Sequence, residues 1–449
     1  MTNAISGLGL APDAAMITFP IDLFLPGSNI DGIAPRMNEF YDGLTRWQSV
    51  YAKAADSTLG EMPMLKVQGD TYEDALQRAN DLAITNLWGD GLPLWPATRA
   101  RVARLLRGTP LPREHVIGKF PPRGGITTVE TCAISLAMAG GRPEYLPVLI
   151  AAVEAFLHPE TNAEQLQAAS GSAYPVVVVN GPIAKQIRLN SGFGCLGPDP
   201  QRPAGASIGR ALRLIQQNVG GALPGIGAMA NYGGMRSVNM VFAEDEDSFP
   251  EGWPTHAMER HGFARDQNSV SVFFANGATN TRRRGAKKET PEEDTIQGMH
   301  RLADFMRVPN YTTLGGYEKG TPGAILIPGV VAQMMAGLGW TKPKMREFFF
   351  EQARIPQAEI KRNGGTAWID MDSNPITRDS LKIDPWPITS KPENFIVLVC
   401  GGGHPTNSFW LQGYSPRVIG KLLHVPETFE QLLVEADRDL GCGDDVCRI

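Results

Sequence analysis

Apolar residues recur at helical spacing in several stretches of the chain. Leu76 and Ala79 lie on one face of a helix predicted over 71–87, and Asp70 with Glu73 predicts a capping box at its start. Further helices are predicted near 36–53, from Thr98 to Gly108, over 127–139 and 148–157, from a cap at Ser207 to Gly220, and from Thr341 onward.

Uninterrupted apolar runs predict the strands. Residues 174–179 are rich in valine and have no polar face, so we expect a strand in the centre of a sheet. Further strands are predicted over 237–243, 269–275, 323–328 and 395–400. Because helices alternate with apolar strands, the pattern predicts an α/β fold, with a mixed or mostly parallel sheet flanked by helices in one or two subdomains. The sequence has no internal repeat.

Glycine, proline and charge patterns suggest the boundaries between units. The segment 281–294 has five basic and four acidic residues and reads as a solvated connector, with docking of an acidic partner as the alternative. The predicted organisation is an N-terminal extension (1–69), a first α/β unit with a glycine-rich loop (70–280), the connector (281–294), a second α/β unit (295–425) and a tail (426–449).

Composition narrows the class of protein. Of the 449 residues 42% are hydrophobic and 20% charged, with a net charge of −5, which provides for a large core and does not favour nucleic acid or an anionic membrane as a partner. No apolar run is long enough to predict a transmembrane helix, and the N-terminus lacks a secretory pattern. Five cysteines in so long a chain suit a reducing compartment, so we expect a cytoplasmic protein.

A glycine-rich loop over 191–198 follows the first valine strand and precedes the Ser207 helix. Strand, glycine loop and helix start together can present backbone N–H groups to an anion, and Arg210 lies on the polar face of that helix. Cys195 in the loop is a candidate reactive thiol. Simple connecting turns and a small buried thiol are the alternatives.

A second candidate site is acidic. Glu244 and Glu246 follow a predicted strand at once, and His256 comes soon after. Such groups can serve as general acid and base, although the spacing matches no metal-binding motif. A solvated acidic loop is the alternative.

A third candidate site lies at the end of the strand predicted over 395–400. Cys400 precedes three glycines and His404, so a ligand could approach the backbone beside a thiol and an imidazole. The alternative is a buried cysteine before an ordinary turn. Cys442 and Cys447 in the tail could pair, although their acidic neighbours would raise their thiol pKa values.

Several short motifs between Gly89 and Gly413 resemble one bacterial family. They include 89–93, 122–125, 142–147, 179–182, 190–192, 208–214, 218–221 and 339–342. Members of that family occur beside, or fused to, small UGSC-type (seleno)proteins with a G-[UC]-G-S-C motif. This chain contains no Gly-Ser-Cys, and it has Gly141 where family members tend to carry a cysteine.

The resemblance implies an enzyme, or a substrate-binding subunit, of a thiol- or selenol-dependent system that performs redox or C–X bond-cleaving chemistry. Cys400, Cys195, His404 and His256 would be the local reactive groups, and a UGSC-type protein would be a partner in a homo- or hetero-oligomer. A small, anionic substrate would be held by Arg123, Arg142, Asn180, Ser191 and Arg210. A cofactor-independent lyase or hydratase using Glu244, Glu246 and His256, and a non-catalytic scaffold, are the alternatives. The sequence names no cofactor.

Overall fold

The computed structural model describes most of the chain. The described residues are 27, 29, 31–46, 64–233, 240–282, 290–308, 317, 318, 320–366, 374–404, 407–414 and 417–441. Cys442, Cys447 and the middle of the predicted connector lie outside them.

Within the described residues seven strands form the main sheet, and four others form two small ribbons. The strands are β1 (Val116–Phe120), β2 (Gly125–Thr128), β3 (Tyr174–Asn180), β4 (Val241–Ala243), β5 (Ser269–Arg282), β6 (Gly323–Ile327), β7 (Arg354–Ile355), β8 (Trp386–Pro387), β9 (Ile396–Val399), β10 (Asn407–Gly413) and β11 (Ile419–Leu422). The main sheet has the order β4-β3-β5-β10-β6-β9, and β11 pairs with β5. Only the pairs β3–β4 and β6–β9 are parallel among these strands, so the predicted α/β fold is confirmed with a mixed sheet.

The described residues also form fifteen helices. They are α1 (Met37–Thr45), α2 (Tyr72–Thr85), α3 (Arg99–Leu106), α4 (Val129–Met138), α5 (Leu146–Phe156), α6 (Ala163–Ala168), α7 (Ile183–Gln186), α8 (Ala204–Asn218), α9 (His256–His261), α10 (Pro291–Met306), α11 (Gly329–Gly337), α12 (Lys342–Gln352), α13 (Gln357–Arg362), α14 (Pro375–Ser380) and α15 (Phe429–Leu440). None of the helices in the described ranges is both long and apolar enough to cross a membrane.

Two predicted helix caps are right and two are wrong. Thr98 and Thr341, where helices were predicted to start, are the caps, and each accepts a hydrogen bond from the backbone N–H three residues later. The cap of α2 is Thr71 rather than Asp70, because the Thr71 hydroxyl reaches the N–H of Asp74. Ser207 lies inside α8, which already begins at Ala204 after Pro203.

The main sheet curls until its two end strands meet. The backbone N–H of Asp245, just after β4, donates to the carbonyl of Val399 at the end of β9 over 2.8 Å. The N–H of Val399 donates to Glu244 Oε1 over 3.3 Å. Six strands therefore form a nearly closed barrel with a short seam between β4 and β9.

Alternate residues of the strands point to the two sides of the barrel wall. Val176, Phe242 and Leu398 belong to an interior cluster to which all six barrel strands contribute. Outside the wall, α4, α5 and α8 pack on β3, β4 and β5, while α10, α11 and α12 pack on β6 and β9. The two-sided burial explains why the strands read as unbroken apolar runs.

The barrel consists of two halves with the same topology. In each half a first strand leads through helices to a parallel neighbour, β3 to β4 and β6 to β9. A third strand then runs antiparallel to the first on its other side, β5 beside β3 and β10 beside β6. The two predicted α/β units thus contribute to one continuous sheet.

Candidate functional site

Two glycine-containing loops from opposite halves of the chain meet at the seam. The N–H of Gly401 donates to the carbonyl of Ser191 over 2.8 Å. The Phe193 ring lies against Gly402, whose φ is +81°, and a Cβ there would come within 2.7 Å of the ring. Glycine at 402 therefore allows both the left-handed turn and the close approach of the loops.

This contact brings together two of the predicted reactive thiols. Cys195 and Cys400 are 6% and 2% exposed, and both side chains belong to the interior cluster of the barrel. Both line a cavity of about 190 Å³ that opens beside Leu326, and His404 lines the same cavity. The first and third candidate sites of the sequence therefore form one site, which we call the dithiol cavity.

The two sulfurs are not equivalent. The pKa of Cys400 is raised well above its usual value, first by the hydrogen bond to Cys195, then by burial, and further by the charges of Glu244 and Asp245. The surroundings of Cys400 therefore favour its protonated form.

Glu244 lies on the other side of the seam, and both oxygens of its carboxylate accept hydrogen bonds. Its Oε2 accepts from Asn180 Nδ2 at 2.9 Å and from the backbone N–H of His256 at 2.6 Å. Its Oε1 accepts from the N–H of Val399 and from Lys342 Nζ at 3.4 Å. Four donors surround a carboxylate that is 3% exposed, so the group joins the ends of the sheet rather than facing a ligand.

A buried ion-pair network extends from Glu244. Lys342, the first residue of α12, also approaches Glu259 Oε2 at 3.5 Å, and Arg346 one turn later donates to the same oxygen at 2.6 Å. The side chains of Lys342 and Glu244 are wholly buried. Loss of one member would leave an uncompensated charge in the core. We call Glu244, Lys342, Glu259 and Arg346 the seam network.

The two histidines of α9 border this network in neutral form. Burial, together with the charge of Arg260, lowers the pKa of His256 well below its usual value, and the same causes lower the pKa of His261 to about 4. His261 Nε2 is 3.0 Å from the Ser271 hydroxyl. His256 is 1% exposed, so its ring packs in the core.

The predicted substrate-binding residues lie in several places. Arg210 makes a bidentate ion pair with Asp90, and Arg142 pairs with Glu144 and Asp439. Arg123 donates to the carbonyl of Ile226. Asn180 binds Glu244 and Glu246. Ser191 adjoins the dithiol cavity through its carbonyl, whereas the three arginines and Asn180 are absent from the described lining of that cavity.

Sequence reasoning missed the seam network as a unit. Lys342 stood in a recognised motif, but nothing local distinguishes a buried lysine after a threonine cap from a surface lysine. The hint in the sequence is the charged group at 342, 344 and 346 on a helix that also carries Phe349. Only the tertiary packing places Lys342 and Arg346 against two carboxylates.

No group of three or more metal-ligating side chains is assembled within the described residues. Comparisons of the chain with protein family models, with curated proteins and with solved structures gave no match. The geometry of the site therefore carries the functional argument.

Proposed function

We propose that the protein is a thiol-dependent enzyme that reduces a small molecule by two electrons with Cys195 and Cys400. The observation that carries the proposal is that these two thiols line one cavity together with His404. Two cysteines from distant parts of the sequence have no local reason to meet, and buried cysteines that pack as small apolar groups need no partner sulfur.

The two thiols differ in a way that suits a division of labour. Cys195 is the more exposed residue of the two and lies in the glycine-rich loop that lines the cavity, so we assign it the first contact with the substrate. Cys400 is deeper and its raised pKa keeps it protonated until Cys195 has reacted. The thiolate is the nucleophilic form of a cysteine, so Cys195 attacks first and Cys400 resolves the product.

The substrate of the reaction is a small disulfide, RSSR′. The Cys195 thiolate attacks one sulfur of the substrate, a mixed disulfide Cys195–SR forms, and R′S⁻ leaves and takes a proton. Cys400 then loses its proton and attacks Cys195 Sγ, which releases RS⁻. The substrate disulfide has been reduced to two thiols, and the two cysteines have been oxidised to one disulfide.

His404 and the cavity supply the remaining requirements. An imidazole that lines the same cavity as the sulfurs can carry the protons that enter and leave. The volume of about 190 Å³ admits only a small group of the substrate at once. An external thiol or selenol protein returns the dithiol to its reduced form, and a UGSC-type partner belongs to this chemical class.

Turnover of a small disulfide by the full chain tests the proposal. Cystamine is incubated with the protein and a separate reductant, and the released thiol is measured. We expect Cys195→Ser to abolish turnover, and Cys400→Ser to stop it with a mixed disulfide trapped on Cys195, seen as a mass increase.

Cys132→Ser is the matched control, because Cys132 is also fully buried but lies in α4 away from the cavity. The control should turn over like the wild type. Turnover that survives Cys195→Ser, or a mixed disulfide found on a cysteine outside the cavity, would rule the proposal out.

A further inference from the structure

A second cavity, of about 440 Å³, lies at the opposite end of the second barrel half. Thr321, two residues before β6, and Asn394, two residues before β9, line it. The dithiol cavity adjoins Cys400, which follows β9 directly. Cys400 comes six positions after Asn394 along mostly extended chain, so the two cavities are roughly 20 Å apart.

Three cationic side chains face this second cavity. Arg260 comes from α9, Lys391 precedes β9, and Arg417 precedes β11. They come from three separate segments, so the positive charge is assembled by the fold and does not follow from a local run of basic residues.

Arg260 is the most informative of the three. Its guanidinium makes one hydrogen bond, to the carbonyl of Asn394 at the long distance of 3.4 Å. No carboxylate of the described residues lies within 4.0 Å of it, whereas Arg142, Arg210 and Arg346 each hold such a partner. A guanidinium has five N–H donors and is normally satisfied when it is removed from water.

The surroundings of Arg260 disfavour its charge. The pKa of Arg260 is lowered, first by burial and then by the neighbouring charge of Arg346, although the charges of Glu259 and Glu393 act in the opposite direction. Arg346 already donates to Glu259, so that carboxylate is shared with another cation. A negative group in the cavity would relieve this repulsion and supply the missing acceptors.

The two acidic residues of the lining already have partners, one of which, Arg417, belongs to the lining itself. Glu160 is 3.7 Å from Arg417, and Glu318 accepts a hydrogen bond from Asn374. The charges of the five ionic side chains in the lining sum to +1, with Arg260 and Lys391 as the cations that have no carboxylate within 4.0 Å among the described residues. The polar groups of Thr321 and Asn394 add to the lining.

We propose that this cavity binds a small anion carrying a phosphate or a carboxylate, with Arg260 and Lys391 as its cationic anchors. Both ligand classes present several oxygens to a guanidinium and an ammonium group. The site is separate from the dithiol cavity, and the inference stands whether or not the thiols are catalytic.

Calorimetric titration of the full chain tests the site. Inorganic phosphate and succinate are titrated separately, with sodium chloride holding the ionic strength constant. We expect saturable binding of at least one anion. Binding of phosphate alone would identify a phosphoryl group as the ligand, and binding of succinate alone would identify a carboxylate.

Two variants and a control locate the binding. Arg260→Gln should remove it, and Lys391→Gln should weaken it by about tenfold, since one charge-assisted contact is lost. Lys391 is exposed, so its variant should fold even if Arg260→Gln does not. Lys382→Gln removes an exposed lysine outside the cavity and should bind as the wild type does. The absence of saturable binding for both anions, or unchanged binding in Lys391→Gln, would overturn the proposal.

Discussion

Glu244 and Cys400 occupy the same place in the two halves of the barrel. Each directly follows the second parallel strand of its half, and each donates its backbone N–H to the first strand, Glu244 to Val179 and Cys400 to Ile327. The surroundings of the two side chains differ. The Glu244 carboxylate has four donors, whereas the Cys400 thiol meets another thiol in a cavity.

The comparison separates stability from chemistry. A buried carboxylate must be satisfied, and once satisfied it joins the ends of the sheet but has no capacity left for a substrate. A thiol is a weak hydrogen-bonding group, so its burial beside a cavity costs little free energy. We therefore expect changes at the seam network to affect folding and changes at the dithiol cavity to affect reactivity.

The largest expected effect is on stability, in Glu244→Gln. The neutral amide leaves Lys342 buried with one weaker contact, and its NH₂ group cannot accept from the surrounding donors, so the free energy of unfolding should fall by about 3–5 kcal/mol. Urea denaturation followed by circular dichroism measures the change. Asp379→Asn, which breaks an exposed ion pair with Lys382, is the control and should leave the midpoint unchanged. An equally small effect at Glu244 would refute the structural role.

The next effect is a loss of stability in acid. His256 and His261 are neutral in the folded protein because their pKa values are lowered, that of His261 to about 4, whereas in the unfolded chain a histidine takes up a proton near pH 6.5. Below that pH the unfolded state binds more protons, so the free energy of unfolding falls as the pH drops from 6.5 towards 4. Each histidine contributes a slope of at most about 1.4 kcal/mol per pH unit.

His261→Gln isolates one of these contributions. Urea denaturation at several pH values between 4 and 6.5 should give a shallower fall in stability for this variant than for the wild type. The difference should be the slope that one histidine contributes. Identical slopes for the two proteins would show that His261 does not stay neutral in the fold.

A smaller effect is expected at the contact of the two loops. Gly402→Ala places a Cβ against the Phe193 ring at a positive φ, which should cost about 2 kcal/mol and slow disulfide formation between Cys195 and Cys400. Gly403→Ala is the matched control, because its Cβ would meet nothing within 4 Å. Equal stabilities and equal oxidation rates in the two variants would contradict the loop packing.

The smallest stability effect should come from Cys400→Ala. Loss of one buried sulfur costs about 1 kcal/mol, well below the cost of Glu244→Gln, although the variant should lose the resolving step completely. Urea denaturation measures the change in stability, and the turnover assay on the same preparations measures the loss of the resolving step. A loss of stability as large as that of Glu244→Gln would remove the distinction between the two positions.

Local patterns predicted much of the fold. The strand at 174–179 and the helices after Thr98 and Thr341 were recognisable because unbroken apolar runs and threonine caps act over a few residues. β10 and β11 were missed because exposed or half-buried positions such as Asn407 and Lys421 interrupt their apolar pattern.

The assembly of the site required tertiary information. The sequence suggested Cys195, Cys400 and His404 as separate candidates but could not bring them together, since the seam depends on how far the sheet curls. It also could not show that the Glu244 carboxylate has four hydrogen-bond donors, because two of them, Lys342 and Val399, are distant in sequence. The repeated topology of the halves left no repeat in the sequence.

Mapping the disulfide formed by the native protein tests the central claim most directly. The reduced full chain is treated with limiting cystamine, free thiols are blocked, and peptides are analysed by mass spectrometry without reduction. We expect a disulfide cross-link between Cys195 and Cys400, while Cys132 remains a free thiol. If Cys195 and Cys400 both stay reduced while other cysteines react, the dithiol cavity is a packing feature and the proposed function is wrong.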